Sequence, residues 1–197
     1  MRKTLLLSIL AFLLGAFTFL SVKYIQAPLQ NLIANSNFFY KLNSLFLMAL
    51  IYGFISAIIQ RTFTFIAACF SDTYALAGFL AGIGFGIAET IYFILPYVAS
   101  YGTKFLISFE FLSRIFSILF HGSCTGILMV GLSEKKFVQY FIPVLIIHTT
   151  ITGLSVFVQI NKVMQYSFII VSIITTIVLF IYFMIISKKM KIVLKGE

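Results

Sequence analysis

The residues most able to do chemistry lie in one apolar stretch, "FEFLSRIFSILFHGSCTG", at residues 109–126. This stretch has polar residues at positions i, i+4, i+7, i+11 and i+15, namely Glu110, Arg114, Ser117, His121 and Thr125. On a helix this spacing places them along one stripe. Charged groups inside a bilayer-length segment are costly and persist where they face protein or a water-filled cavity. We therefore expect the stripe to be the functional face.

Three other predicted helices carry polar faces that are expected to meet this stripe. These faces contain, in chain order, Gln60 and Arg61, Glu89, and His148. With a rise of about 1.5 Å per residue, Glu89 and Arg114 are predicted to share one level of the membrane. A second level is predicted to hold His121 and His148 beside the polar residues of the second apolar segment.

The two histidines, the only ones in the chain, suggest a metal site. Two imidazoles and the Glu89 carboxylate would form a two-His-one-carboxylate set, which suits zinc with an open position for water. Such a zinc would supply hydroxide for hydrolysis, and proteolysis would also need a general base. Glu110 is predicted near the outer boundary, so Glu89 would serve either as the third ligand or as the base.

Each of these residues also has a structural interpretation. An intramembrane histidine often forms hydrogen bonds between helices. Arg114 would then be the ion-pair partner of Glu89 or Glu110. Arg61 would snorkel towards the interface or bond a backbone carbonyl. Both interpretations stay open at this point.

The composition describes an integral membrane protein. The 197 residues are 61% hydrophobic and 10% charged, with a mean hydropathy of +1.12. Six apolar segments reach the length of about 20 residues that a spanning helix needs: 4–22, 42–70, 73–98, 104–132, 137–160 and 163–187. The predicted fold is an all-α, polytopic membrane bundle of six transmembrane helices in one domain, residues 1–197.

The distribution of basic residues predicts the orientation of this bundle. One side would carry Arg2, Lys3, Lys135, Lys136, Lys188, Lys189, Lys191 and Lys195, and the other Lys23, Lys41, Lys104 and Lys162. The positive-inside rule places the first group, and with it both termini, in the cytoplasm. Short basic segments of this kind are topology signals and do not form a nucleic-acid-binding surface. The predicted partners are the lipid bilayer and a membrane protein or peptide.

The first segment is predicted to be a retained transmembrane helix, because its apolar part is long and no small-x-small cleavage site follows. Residues 23–41, which contain Pro, Asn and Ser, are predicted to form an interfacial, non-spanning loop. The first and last segments are expected to be lipid-facing walls, since their few polar residues are mostly hydroxyl-bearing.

Small residues indicate where helices approach closely. Gly78, Gly82 and Gly86 recur four apart in the third segment, and such a face lets a second backbone come near. Cys69 and Cys124 both fall inside apolar runs and are predicted to pack as small hydrophobic residues.

Three motifs on successive segments resemble a known superfamily. They read "AGIGFGIAETIYF", "SRIFSILFHGS" and "FIPVLIIHTTITG". Their order and spacing resemble the membrane peptidases of the YhfC and PrsW types, which are grouped with the CAAX prenyl proteases as intramembrane proteases. The resemblance covers about residues 55–160 and implies zinc as cofactor. It marks four site positions, namely Glu89, Arg114, His121 and His148.

One motif of these families is missing. They open their core with Glu-Glu-x-x-Lys or Glu-Glu-x-x-x-Arg, whereas the corresponding "IQRTFTF" places Gln60 and Arg61 there. An amide and a guanidinium cannot act as a general base. The superfamily also includes the Aph subunit of gamma-secretase, a non-catalytic scaffold. That subunit looks similar in its glutamine, its "SFGI"-like stretch and its two membrane histidines, but it lacks the glutamate kept here as Glu89.

The sequence therefore predicts one of three functions. The first is an intramembrane metal-dependent endopeptidase, with His121 and His148 as metal ligands. In it Glu89 would be third ligand or base, kept ionised by Arg114. The second is a non-catalytic scaffold or partner-binding protein in which these polar groups hold helices together. The third is a small transporter subunit that binds substrate at the Glu89 and Arg114 level.

Overall fold

A computed structural model describes residues 2–36, 44–70, 74–102, 108–157 and 162–193. Its elements are all helical: α1 (Arg2–Thr18), a π-helical turn (Val22–Gln26), α2 (Ala27–Ala34), α3 (Leu45–Cys69), α4 (Tyr74–Tyr101), α5 (Phe109–Ser133), α6 (Phe137–Phe157) and α7 (Lys162–Val193). Within these described ranges, six helical runs are long and apolar enough to cross a bilayer. The predicted all-α, multi-pass membrane bundle is confirmed.

Helix α5 is the central element of the bundle. Every residue from 120 to 131 is buried. In the most apolar 18-residue stretch of α5, 67% is buried inside the protein, against 17% in that of α6. Helices α3, α4, α6 and α7 all pack against it. The polar stripe predicted from the sequence therefore lies on the most enclosed helix.

Helices α4 and α5 approach at backbone distance through glycines. A Cβ atom at Gly82 would overlap the carbonyl group of His121, and one at Gly86 would fall on the Cα atom of Ile118. The predicted small-residue face is confirmed. This close contact fixes the register that brings Glu89 on α4 opposite the polar residues of α5.

The first helical run is longer than predicted. The chain continues beyond residue 22 through the π-helical turn into α2, which ends at Ala34, so residues 23–34 are not a loop. The Ala27 amide bonds to the carbonyl of Val22, five residues back, and this widening comes directly before Pro28. Because proline lacks an N–H and crowds the preceding turn, a wider turn lets the helix continue. Residues 37–41 of the predicted loop lie outside the described residues.

Helix α1 is also not a simple lipid-facing wall. Ala11 of α1 and Phe19, directly after its end, are buried, and the ring of Phe19 lies 5.8 Å from that of Phe85 on α4. The last helix, α7, likewise has one packed face, where Phe183 stacks on Phe79 at 5.1 Å. The composition of these segments gave no sign of that packing, because their contact residues are apolar like their lipid-facing residues.

The two cysteines have different environments. Cys124 is fully buried in the core around α5, as predicted, and both thiols are free. Cys69 is exposed at the end of α3, so its predicted packing in the interior was wrong. A terminal helical residue has fewer neighbours than the apolar run around it suggests.

Contacts between the helices show their directions. Gln26 meets Ser56, and Ala11 belongs to the same cluster as Ala68, so α1 runs opposite to α3. Gln165 bonds Glu110 and Phe183 packs on Gly126, so α5 and α7 run in the same direction. The start of α1 and the ends of α5 and α7 therefore lie at one end of the bundle. Which compartment this end faces stays a prediction.

Candidate functional site

Arg61 lies at the centre of the polar residues. It is completely buried and reaches from α3 to α5, where Nη1 donates to the His121 carbonyl and to Thr125 Oγ1, both at 3.2 Å. Its Nη2 donates to Nδ1 of the His121 ring. A buried guanidinium is tolerated only when its donors and its charge are compensated. The groups around His121 therefore determine how the Arg61 charge is balanced.

His121 uses both ring nitrogens. Its Nε2 lies 3.0 Å from Oε2 of Glu89 on α4, while Nδ1 receives the Arg61 guanidinium. A guanidinium can only donate, so Nδ1 accepts and the ring proton is on Nε2, which donates to the carboxylate. The result is a chain of cation, neutral imidazole and anion. We refer to Arg61, His121, Glu89 and the two hydroxyl residues bonded to them, Ser117 and Thr125, as the charged cluster.

Glu89 pairs with His121 and not, as predicted, with Arg114. Its Oε2 also accepts from Ser117 Oγ at 3.3 Å, and within the described residues no ion pair joins it to Arg114. The glycine contacts between α4 and α5 set this register, because they bring Glu89 level with Ser117 and His121. Thr90, the neighbour of Glu89, donates to the Arg114 carbonyl at 3.3 Å, so the two residues do share a level as predicted. The predicted ion pair is not formed among the described residues.

Arg114 and Glu110 lie outside the charged cluster. The Arg114 guanidinium lies 4.8 Å from the centre of the Phe93 ring, a cation–π arrangement. Glu110 accepts from Gln165 Nε2 on α7 at 3.2 Å. Both residues bind neighbouring helices near the start of α5, and neither contacts His121.

His148 on α6 is brought next to His121. The ring centres lie 5.6 Å apart and the planes are nearly perpendicular, and the Phe120 ring packs against His148 at 5.3 Å. His148 Nδ1 is buried and has no hydrogen-bond partner in the described part of the chain. The structure thus brings the two histidine rings into packing contact.

Gln60 is directed away from Arg61 and towards the first helical run. Its Nε2 donates to Gln26 Oε1 at 3.0 Å, and Gln26 Nε2 donates to Ser56 Oγ at 2.9 Å. Gln30 Nε2 donates to the same hydroxyl at 2.9 Å. We refer to these four residues, Gln26, Gln30, Ser56 and Gln60, as the amide cluster.

Sequence reasoning missed Gln26 and Gln30, because both fall in the segment interpreted as a loop. A usable signal was present: Gln26 and Gln30 are four apart, as are Ser56 and Gln60. Two polar pairs with helical spacing on neighbouring segments match the pattern of hydrogen bonds between membrane helices.

The arrangement does not fit the predicted zinc site. Among the described residues, no group of three or more His, Cys, Asp and Glu side chains converges closely enough to hold a metal ion. In addition, a ligating imidazole must offer a nitrogen lone pair to the metal. The lone pair of His121 faces the Arg61 guanidinium, whose fixed positive charge would repel a cation. Zinc binding thus requires Arg61 to leave Nδ1, and it remains a prediction open to measurement.

Comparison with protein-family models, curated proteins and solved structures finds no match for this chain. The fold and composition define the class, a multi-pass helical membrane protein. The resemblance to the peptidase-like superfamily stays a prediction from the motifs quoted above.

Proposed function

We propose that this chain is a non-catalytic scaffold or partner-binding protein of the membrane, related to the peptidase-like superfamily. The observation that carries the proposal is the Arg61 guanidinium bonded to His121. At the position where the related motif has acidic residues, this chain has a permanent cation that bonds the nearest histidine. Such a cluster links three helices, and its histidine accepts a hydrogen bond from this cation at Nδ1.

The hydrogen bonds of the charged cluster support a structural role. Arg61 on α3, His121 on α5 and Glu89 on α4 connect three separate helices. The Glu89 carboxylate holds the imidazole and Ser117 through Oε2, so this oxygen would have to exchange partners before it could activate a water molecule. A guanidinium does not give up its proton in proteins, so Arg61 cannot complete a proton relay through His121.

The second candidate is the intramembrane metallopeptidase, which one observation favours. His148 Nδ1 is a buried nitrogen without a partner among the described residues, and the His148 ring lies beside that of His121. An unsatisfied buried polar atom is costly, and a bound polar group would remove that cost. No observation specifically favours the transporter proposal, because Glu89 binds His121 and Ser117 and Arg114 lies against the Phe93 ring.

Metal content separates the two candidates. We expect the purified protein in detergent, supplied with zinc and then dialysed, to retain no more zinc than its His121→Ala and His148→Ala variants. The measurement is elemental analysis per chain. About one zinc per chain that is lost in both variants, together with cleavage of a membrane peptide, would overturn the scaffold proposal.

A scaffold must also be found with another protein. The chain is extracted from its own membranes in mild detergent and examined by native mass spectrometry. We expect complexes whose mass exceeds that of any number of 22.2 kDa chains with bound lipid by the mass of a second protein. If only the chain itself appears, under conditions that preserve other membrane complexes in the same extract, the partner-binding part of the proposal fails.

A further inference from the structure

The end of the bundle at which α5 and α7 end combines positive charge with apolar surface. The turn between α5 and α6 exposes Lys135 and Lys136, and Lys135 adopts a positive φ of 58° that forms this tight turn. Lys188 and Lys189 are exposed near the end of α7. These four residues, which we name the lysine group, are not used by the charged cluster or the amide cluster.

Helix packing places the two halves of the lysine group at one level. The Tyr140 side chain lies next to Tyr182 on α7, which aligns α6 and α7. Lys136 precedes Tyr140 by four residues and Lys189 follows Tyr182 by seven, so they lie about 6 and 10 Å beyond these tyrosines. Tyrosines of membrane proteins are enriched at the level of the headgroups. The ammonium groups therefore lie at or just beyond that level.

A shallow recess at the turn adds an apolar part to this surface. Its volume is about 320 Å³, and its lining includes Lys135 and Lys136 together with Leu132, Phe137 and Val138. Val138 is 63% exposed. Ammonium groups beside an exposed apolar wall match a molecule with an anionic head and a hydrocarbon chain. A free phosphate would contact only the ammonium groups and not the apolar wall.

One carboxylate moderates the charge without cancelling it. Glu134 lies 4.0 Å from Lys136 Nζ and accepts from the Tyr140 hydroxyl at 2.9 Å. The lysine group thus keeps an excess of positive charge. We infer that it binds the headgroup of an anionic phospholipid, with the acyl chain along the recess. This inference does not depend on the proposed function.

Lipid retention tests the inference. The protein is purified in detergent, mixed with equal amounts of phosphatidylglycerol and phosphatidylcholine, and examined by native mass spectrometry. We expect preferential retention of phosphatidylglycerol, weakened about fivefold by each lysine replaced in Lys135→Gln, Lys136→Gln and the Lys188→Gln/Lys189→Gln double variant. Lys162→Gln is the control, because it removes one lysine at the start of α7, the opposite end of the helix that carries Lys188 and Lys189.

Three results would overturn the inference: equal retention of the two lipids, an equal loss in Lys162→Gln and Lys135→Gln, or displacement of the lipid by an equal concentration of glycerol phosphate. The last result would show that the headgroup alone binds and that the apolar recess has no part. Unfolding midpoints of all variants are measured alongside, so that loss of lipid is not confused with loss of fold.

Discussion

Two adjacent residues of α3, Gln60 and Arg61, belong to polar clusters of different kinds. Gln60 joins a neutral set of amides and a hydroxyl that ties α3 to the first helical run. Arg61 joins a cation–imidazole–anion chain that ties α3 to α5 and α4. The neutral cluster can lose one hydrogen bond and stay neutral, whereas removing either charge leaves the other uncompensated in a buried site. The difference predicts unequal costs of mutation at neighbouring positions.

The largest effect is expected from Arg61→Met. The change leaves the Glu89 carboxylate buried without its balancing cation, and breaking a buried pair from one side costs about 3–5 kcal/mol. The free energy of unfolding in detergent, from a reversible SDS titration, measures the loss. Lys23→Met is the control at an exposed lysine, and a cost below about 1 kcal/mol for Arg61→Met would show that the charges are not coupled.

A double variant tests the same coupling from the other side. Arg61→Met with Glu89→Gln removes both charges, so we expect the pair to cost less than the sum of the two single changes. Strict additivity of the three unfolding free energies would contradict the cation–imidazole–anion chain.

The second largest effect is expected from Gly82→Ala, which tests what holds the charged cluster in register. The added methyl group would meet the rigid backbone of His121, and overpacking of this kind costs about 1–3 kcal/mol. Gly122→Ala is the matched control on the facing helix, because its methyl group would meet side-chain atoms, the end of Ile83 and the edge of the Phe79 ring, and no backbone of α4. Equal unfolding free energies for the two variants would mean that α4 and α5 can move apart at Gly82 without cost, so that this backbone contact does not hold the register.

A smaller effect is expected from Gln60→Leu and Gln26→Leu. Hydrogen bonds between membrane helices contribute about 0.6 kcal/mol on average and about 1.7 kcal/mol at most. The two single variants and the double variant form a cycle in SDS unfolding. A coupling energy indistinguishable from zero would remove the hydrogen bond between these two side chains from the account of stability.

The smallest effect is expected from Arg114→Met. This guanidinium is only half-buried and its contact with Phe93 is a cation–π interaction, which contributes about 0.5–1 kcal/mol at accessible sites. The same unfolding titration measures it. A cost as large as that of Arg61→Met would show that Arg114 also balances the Glu89 charge, as the sequence had suggested.

The fold could be predicted because the hydrocarbon core of a bilayer restricts which backbone structures can span it. An apolar run of sufficient length in a bilayer must be helical to satisfy its backbone, so six runs meant six helices. Residues 23–34 were predicted as a loop, although they are helical, because Pro28 and the neighbouring polar residues are typical of loops. The π-helical turn that lets the helix continue past the proline depends on packing against α3, where Gln26 finds Ser56.

The sequence by itself determined which residues are polar inside the membrane and, through helical spacing, which of them share a face. It therefore predicted that Arg61, Glu89, His121 and His148 belong to the interior. Only the tertiary structure decided which of these polar side chains bond to each other. Depth along a helix is known to a few ångströms from the sequence, whereas a hydrogen bond requires the rotation and register of two helices, and glycine contacts between α4 and α5 set those here. That is why Glu89 meets His121 and not Arg114.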